Sequence, residues 1–302
     1  MRDEIYSINI ELTARCRAKC NICARENMVE PETMDITDEI ISKIINDLIN
    51  TTNSKKLNQV IFAGWGEPLL HPKVFEIINR IDKELNIPVK ININGLMSTT
   101  NKLQKLVKTN VGHIIFSLNA VDDFTYNKLM MKGQFVKSLK KLEMLINFRN
   151  EAESKAIIRV QLSNPWKRNY SVELSRILDI LDKRRDEVLV REIENKLGLS
   201  QLDDFEHQKI INSFACPTIW NGLTIDCSGG IYICCNSLLF RESAGLYMGN
   251  IKDVNVSELL SQSPREKFIE QNKTGQLNKI KECSLCNMPY FYQQNVKDEW
   301  LQ

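Results

Sequence analysis

The sequence has no apolar run long enough to span a bilayer. Its N-terminus, MRDEIYSINIEL, has neither the apolar segment nor the cleavage site of a secretory signal. It has no basic tail and no block of like charge, and its formal net charge is only +2. So small an excess gives no footing for a nucleic-acid partner. A cytoplasmic protein that binds neither nucleic acid nor membrane is therefore expected. Histidine is scarce: His71, His113 and His207 are the three available to complete a zinc site. Low-complexity segments are absent. Cysteine is absent from the whole stretch between Cys23 and Cys216, and again after Cys286.

What is present is a chain of 302 residues, 43% hydrophobic and 26% charged, long enough for one large core or for a large domain plus a small one. Nine cysteines fall in two groups: Cys16, Cys20 and Cys23, then Cys216, Cys227, Cys234, Cys235, Cys283 and Cys286. An odd number, clustered in a long chain without a secretory signal, argues for metal rather than a disulfide framework.

The first two-thirds alternates between strand and helix patterns. Apolar or β-branched runs at 5–13, 60–64, 89–94, 113–119, 156–162 and 188–193 predict six strands. Helical spacing fills the gaps at 73–85, 100–108, 136–150 and 172–183. In DITDEIISKIINDLI it puts Ile40, Ile41, Ile44, Ile45 and Leu48 on one face behind Thr37 as N-cap. Six such βα units predict a parallel sheet curved into a full or partial barrel, with chemistry at the carboxyl ends of the strands. The character changes after about Asn195. CPTIWNGLTIDCSGGIYICCNS reads as a hairpin, with strands at 223–226 and 231–234 around Ser-Gly-Gly, followed by one helix over 256–273 and then ECSLC. The expected division is a barrel over 1–213 and a small α+β hairpin-and-helix domain over 214–302.

Cys16, Cys20 and Cys23 follow the first strand at CxxxCxxC spacing, among Arg15, Arg17, Lys19 and Arg25. Three thiolates can hold three irons of a four-iron cluster and leave the fourth iron open, as a catalytic metal site requires. The nearby cations are expected to favour the thiolate form. A structural zinc with an unseen fourth ligand is the alternative. In FAGWGEPLLHP, at the second strand's end, Gly64 and Gly66 let backbone approach a ligand, and the Glu67 carboxylate before Pro68 can accept from an ammonium group. An ordinary strand-to-helix turn is the plainer reading. Polar residues end the next strands: Asn92 and Asn94, then Ser117 and Asn119, with Arg159 and Gln161 sharing one face of the fifth. His71, Trp65, Trp166 and Tyr170 are candidates to face the barrel mouth.

The cysteine triad after a first strand, heading a βα series, resembles the radical S-adenosylmethionine enzymes, and the resemblance runs through the barrel. It implies a partial (β/α)6 barrel and reductive cleavage of S-adenosylmethionine to a 5′-deoxyadenosyl radical. It also implies an electron donor such as flavodoxin or ferredoxin. Cofactor contacts are implied for Ile22, for Gly64, Gly66, Glu67 and Pro68, for Asn94, Ser117 and Asn119, and for Gln161. The match is looser at Asn94, where Ile93 stands in place of a common threonine. In the second group, four thiolates from a hairpin and a CxxC knuckle can enclose one zinc or one four-iron cluster, and spacing alone leaves both open. Cysteine, Gly229-x4-Cys234 and a late CxxC resemble the SPASM/twitch extension of these enzymes. That resemblance implies an auxiliary [4Fe-4S] cluster on Cys216, Cys234, Cys283 and Cys286. Cys227 and Cys235 are left over. They are packing residues, an alternative ligand in the case of Cys235, or hydrogen-atom donors to a substrate radical, as in related epimerases.

The expected activity is dehydrogenation of a small-molecule or sugar-like substrate, with the auxiliary cluster taking the electron. Peptide modification, by thioether formation or epimerisation, is the alternative. The strand beginning near Met1 tilts against an N-terminal leader-binding domain. A non-enzymatic iron–sulfur or zinc scaffold is the third reading.

Overall fold

The computed structural model describes residues 5–27, 34–52, 56–163, 171–191, 216, 218–219, 222–261 and 263–286. Trp166, Tyr170 and the expected domain junction near Phe214 lie outside them. Six parallel strands carry the barrel: β1 (Ile5–Ile10), β2 (Lys56–Phe62), β3 (Val89–Ile93), β4 (Val111–Ser117), β5 (Ile157–Ser163) and β6 (Glu187–Arg191). Six helices lie between them: α1 (Asp38–Thr52), α2 (Val74–Leu85), α3 (Thr100–Leu106), α4 (Asp123–Leu129), α5 (Phe135–Glu151) and α6 (Ser171–Ile180). After residue 222 come β7 (Gly222–Ile225), β8 (Gly230–Tyr232) and β9 (Tyr247–Asn250), then α7 (Val256–Ser261), α8 (Ser263–Lys273) and α9 (Lys281–Ser284). The partial barrel with an antiparallel hairpin-and-helix end is the expected architecture.

One feature went unread in the sequence. The hairpin joins the barrel's own sheet, whose order is β6-β5-β4-β3-β2-β1-β7-β8-β9. β7 runs parallel to β1, Ser7 to Ile10 pairing with Gly222 to Ile225, and so covers what would be an open edge. β8 and β9 then add antiparallel. Three other departures have local causes. β2 starts four residues before the expected 60, because its register slips beside Asn58. That irregularity lets Leu57 and Val60 both face the core and hides the alternation. The expected helix over 256–273 is two helices, and Pro264, which has no N–H to donate, stands in the first turn of the second. α4 is short, started by Asp122, whose carboxylate accepts from the Thr125 N–H at 2.7 Å. Thr37 caps α1 as expected, its hydroxyl accepting from the Ile40 N–H.

The strands' alternation decides which way each face looks. Ile8, Ile10, Val60, Phe62, Ile91, Ile114, Phe116, Ile158 and Val160 are fully buried in one core with Ile41, Ile44 and Ile45 of α1 and Ile78 of α2. The intervening residues, among them Lys90, Asn92, His113, Arg159 and Gln161, are only half-buried and face the concave side. At the sheet's lower end, the fully buried Arg149 of α5 forms a two-pronged ion pair with Asp186, which also accepts from the Ile158 N–H. Among the described residues, no helix is long and apolar enough to cross a membrane.

Candidate radical-cofactor site

The cysteine loop leaves β1 at its carboxyl end and is tied down on both sides. On one side, the Ile22 N–H donates to the Leu129 carbonyl at 2.9 Å, and Asn21 donates to the Lys128 and Met130 carbonyls at the end of α4. On the other, the Glu67 N–H donates to the Arg15 carbonyl at 2.9 Å. Gly66 makes this approach possible, since a Cβ there would lie 1.8 Å from the Thr13 carbonyl oxygen.

Glu67 is buried and joins three of the expected motifs. Its carboxylate accepts from the Asn94 N–H at 2.8 Å and from the Leu69 N–H at 3.4 Å. The Asn94 amide in turn reaches the Cys20 sulfur at 3.7 Å. Burial pushes the Glu67 pKa up to about 7, against the pull of the two N–H donors. The carboxylate expected to meet an ammonium group is thus turned to backbone, holding the Gly-rich loop and the end of β3 in one arrangement.

Of the basic residues beside the cysteines, Arg25 favours the Cys16 thiolate as expected, though burial outweighs it. The Arg15 guanidinium grips Asp35 through Nε (2.9 Å) and Nη2 (2.6 Å) and donates to the Leu70 carbonyl. Arg25 donates to the Ala14 carbonyl at 2.8 Å. They pin the loop, while burial raises the Cys16 and Cys20 thiols, Cys20 to about 12, with each neighbouring thiol adding to the shift. Among the described residues, no group of three His, Cys, Asp or Glu side chains stands in metal-binding geometry. The three sulfurs are nonetheless mutual electrostatic neighbours on one pinned loop. That donor set fits a thiolate-ligated iron cluster, whose positive charge displaces the thiol protons.

The fourth and fifth strands meet here too. Ser117 pairs with Gln161 across the sheet, and the Gln161 carbonyl accepts from the Asn119 N–H at 2.8 Å. Asn119 adopts a left-handed φ of 57°, which asparagine tolerates, and its amide points to the Met130 sulfur at 3.3 Å. Met130 also holds Asn21 of the cysteine loop. His71 faces backbone rather than the mouth: its Nε2 bonds the Ile36 carbonyl and its Nδ1 accepts from the Lys73 N–H.

The second cysteine group lies close by. Cys216, Cys234, Cys235, Cys283 and Cys286 influence one another electrostatically. The hydrogen bond that the Cys234 thiol donates to Cys235, then burial, raise Cys234 well above the ordinary thiol. The backbone of Cys216 is held at both ends by buried Asn272, which accepts from its N–H at 2.7 Å and donates to its carbonyl at 2.9 Å. Trp65 and Phe240 pack with Ala24, Leu239 and Cys286, so the residue after Cys23 and a cysteine of the second group share one apolar patch.

Sequence reasoning missed Glu11, Asp226 and Arg241. Glu11 and Asp226 follow β1 and β7 and are both 1% exposed. Arg241 Nη1 bridges them, at 3.0 Å from Glu11 Oε2 and 3.3 Å from Asp226 Oδ2. Glu11 also accepts from the Trp65 N–H at 2.9 Å and from the Cys227 thiol at 3.7 Å. A lone carboxylate directly after an alternating strand, as in SINIELT, was the available signal. Its side-chain partners, Cys227 and Arg241, lie more than two hundred residues away in sequence.

Comparison with known proteins agrees with this arrangement. Residues 10–158 match the Radical SAM superfamily, and residues 216–287 match the SPASM iron–sulfur cluster-binding domain. A cofactor-modifying protein of tungsten-containing aldehyde ferredoxin oxidoreductase from Pyrococcus furiosus is 26% identical over 144 residues, 47% of this chain and 38% of the relative. A probable GTP 3′,8-cyclase of Methanocaldococcus jannaschii is 28% identical over 186 residues, 61% of this chain and 56% of the relative. The matches thus span roughly two-fifths to just over half of these relatives' lengths. Among solved structures, BtrN with AdoMet and 2-DOIA superposes with TM-score 0.62 at 16% identity, over 95% of this chain and 94% of BtrN. Streptococcus suis SuiB bound to precursor peptide SuiA gives 0.66 at 14% identity, over 98% and 74%. anSMEcpe with AdoMet gives 0.58 at 15%, over 96% and 95%. Likeness at such identities speaks to the fold.

Proposed function

We propose that this chain, a radical S-adenosylmethionine enzyme with a SPASM iron–sulfur C-terminal region, is a cytoplasmic dehydrogenase of a small-molecule or sugar-like substrate. Cys16, Cys20 and Cys23 would hold a [4Fe-4S] cluster, which would supply reductive cleavage of S-adenosylmethionine and hydrogen-atom abstraction, and an auxiliary cluster would supply an electron acceptor. Cys216, Cys234, Cys283 and Cys286 are the ligands assigned to the second cluster, in a division of the chain near residue 214. In the overall reaction an alcohol or amine carbon loses one hydrogen atom and one electron, its hydroxyl or amino group loses one proton, and the C–O or C–N bond becomes double. An external flavodoxin or ferredoxin supplies the electron for cofactor cleavage.

The chain's own residues bind and position. Glu67 fixes the Gly64–Gly66 turn against Asn94, leaving the loop's backbone groups to meet the cofactor. Ser117, Asn119 and Gln161 present polar atoms from the neighbouring strand ends. Ile22 offers an apolar contact beside the cysteines, and Pro68 starts the turn that closes the loop.

The observation that supports this reading is the apolar patch of Trp65, Phe240, Ala24 and Cys286, in which the residue after Cys23 packs with a cysteine of the second group. Anaerobic reconstitution tests it. About eight irons per chain are expected, falling to about four in Cys16/Cys20/Cys23→Ala, together with 5′-deoxyadenosine from S-adenosylmethionine and dithionite. Zinc in the second site would remove the electron acceptor and with it the dehydrogenase. No deoxyadenosine would leave a scaffold.

A second reading, epimerisation or peptide modification, draws on the Cys227 thiol beside Glu11. Hydrogen return from a cysteine would put solvent deuterium into product, and Cys227→Ala or Cys235→Ala would abolish it. Unchanged turnover in both variants sinks that reading.

A further inference from the structure

On the concave face of the barrel, polar groups stand in two rows without the partners their burial calls for. Register places Asn9, Ile61, Lys90 and His113 at one level across β1 to β4. Asn92, Ile115, Arg159 and Glu187 stand one level closer to the carboxyl ends. Asn9 Oδ1, Asn92 Oδ1 and His113 Nδ1 are buried atoms with no hydrogen-bond partner among the described residues. Arg159 is paired with Glu187. Lys90 has neither a hydrogen bond nor an ion pair among the described residues. Burial, then the Arg159 guanidinium, lowers the Lys90 pKa, and Glu187 pulls only weakly the other way. Burial, then Lys90, lowers the His113 pKa as well. With Glu187 cancelling Arg159, the two rows carry one net positive charge.

We infer that this face recognises the substrate through an oxyanion, a carboxylate or phosphate, bound at Lys90, with hydroxyl or amine donors meeting Asn9 and Asn92. The inference rests on the proposed function, whose substrate it narrows from small-molecule to small anionic molecule. Glu187 is engaged by Arg159, so an oxyanion at Lys90 adds a counter-charge of its own and relieves the repulsion from Arg159. The two orphaned amide oxygens accept, so the groups that meet them must donate. The dimensions agree. Asn94, two residues beyond Asn92, touches the Cys20 sulfur. At roughly 3.3 Å per residue, Lys90 then lies about 13 Å down the strand from that level. An elongated molecule of about that length, with its anion at one end, reaches from the anion site to the radical chemistry at the mouth.

Acetylation footprinting of the anaerobically reconstituted enzyme tests the inference. An N-hydroxysuccinimide acetate ester is applied with malonate, inorganic phosphate or myo-inositol present, and each lysine is read by mass spectrometry. Malonate or phosphate should slow acetylation of Lys90 at least five-fold and leave exposed Lys137 unchanged, and myo-inositol should do neither. The same anions should raise Tm in wild type and in Lys90→Arg, with the rise at least halved in Lys90→Met. Which anion protects better tells carboxylate from phosphate. Protection by myo-inositol as strong as by the anions, or no protection by any probe, overturns the inference. Deoxyadenosine formation is measured on the same wild-type sample. Its presence without anion protection defeats the recognition rows alone, and its absence defeats the proposed function separately.

Discussion

Replacing Arg241 by methionine should destabilise the enzyme chiefly through Glu11, and in a pH-dependent way. Arg241 faces two carboxylates, both 1% exposed, but they depend on it unequally. Asp226 also accepts from the Ser228 N–H at 2.8 Å and its hydroxyl at 2.7 Å, the Gly230 N–H at 2.8 Å and the Tyr232 hydroxyl at 2.7 Å. Glu11 has the Trp65 N–H at 2.9 Å and the weak Cys227 thiol besides its ion pair. Removing one partner of a buried pair costs about 3–5 kcal/mol, most of it from the stranded charge. With a urea slope of about 3 kcal/mol/M, the midpoint of unfolding should fall by about 1–1.7 M near pH 8. Burial already raises the Glu11 pKa, Arg241 pulling against it. Without the guanidinium the folded pKa rises further. A raised folded pKa contributes stability below the unfolded pKa and loses it as pH climbs through the folded value. The variant's deficit should therefore shrink as pH is lowered from 8 toward 5.5 and Glu11 takes up its proton more readily. Glu11→Gln added to Arg241→Met should recover most of the loss at pH 8, since the amide oxygen still accepts from Trp65. A deficit equal at both pH values, or no recovery in the double variant, would refute this assignment of the cost.

At the opposite end of the sheet, Arg149→Met strands fully buried Asp186 and should cost about 3–5 kcal/mol by thermal unfolding. Because the pair sits at the amino ends of β5 and β6, deoxyadenosine formed per folded chain should not change. Gly66→Ala should lose S-adenosylmethionine binding in equilibrium dialysis, because its Cβ meets backbone at 1.8 Å. Gly133→Ala meets nothing within 4 Å, and its φ of 71° should cost only about 1 kcal/mol of stability. Asn272→Leu removes both bonds to the Cys216 backbone, and iron per chain should drop toward half on reconstitution.

How much of this was legible in the sequence follows from how local each signal is. The six strands and most helices announced themselves because alternation and the 3.6-residue period need only neighbouring residues. β2 began too late in that reading because Asn58 breaks the alternation. β9 escaped because Tyr-Met-Gly-Asn has no apolar pattern, and its pairing to β8 is set by the hairpin above it. The cysteines, the Gly-rich loop and the polar strand ends were readable as candidates, and the structure brings Cys20, Glu67, Asn94 and Arg15 into one connected set. What each does there was not readable. Glu67 turning to backbone, and Arg15 and Arg25 holding loop carbonyls and Asp35, depend on where three distant segments cross. The Glu11–Arg241–Asp226 cluster is the extreme case, since nothing near Glu11 in sequence hints at a cation.

β1 explains why that cluster belongs between the two cysteine groups. A partial barrel leaves its first strand with an unpaired edge, open to pairing with another chain. Here β7 takes that edge over four residues, so the C-terminal region completes the barrel's sheet. Both cysteine groups are thereby indexed to one strand: the triad continues from its carboxyl end, and Cys227 and Cys234 stand on the hairpin beside it. Adjacent strands lie about 4.8 Å apart, so carboxylates closing β1 and β7 are forced close together inside the protein. Two buried like charges at that spacing are unfavourable without a cation. Arg241, at a left-handed φ of 51° that its side chain disfavours, supplies one. The strain is tolerated because the cation offsets the repulsion that joining the strands creates.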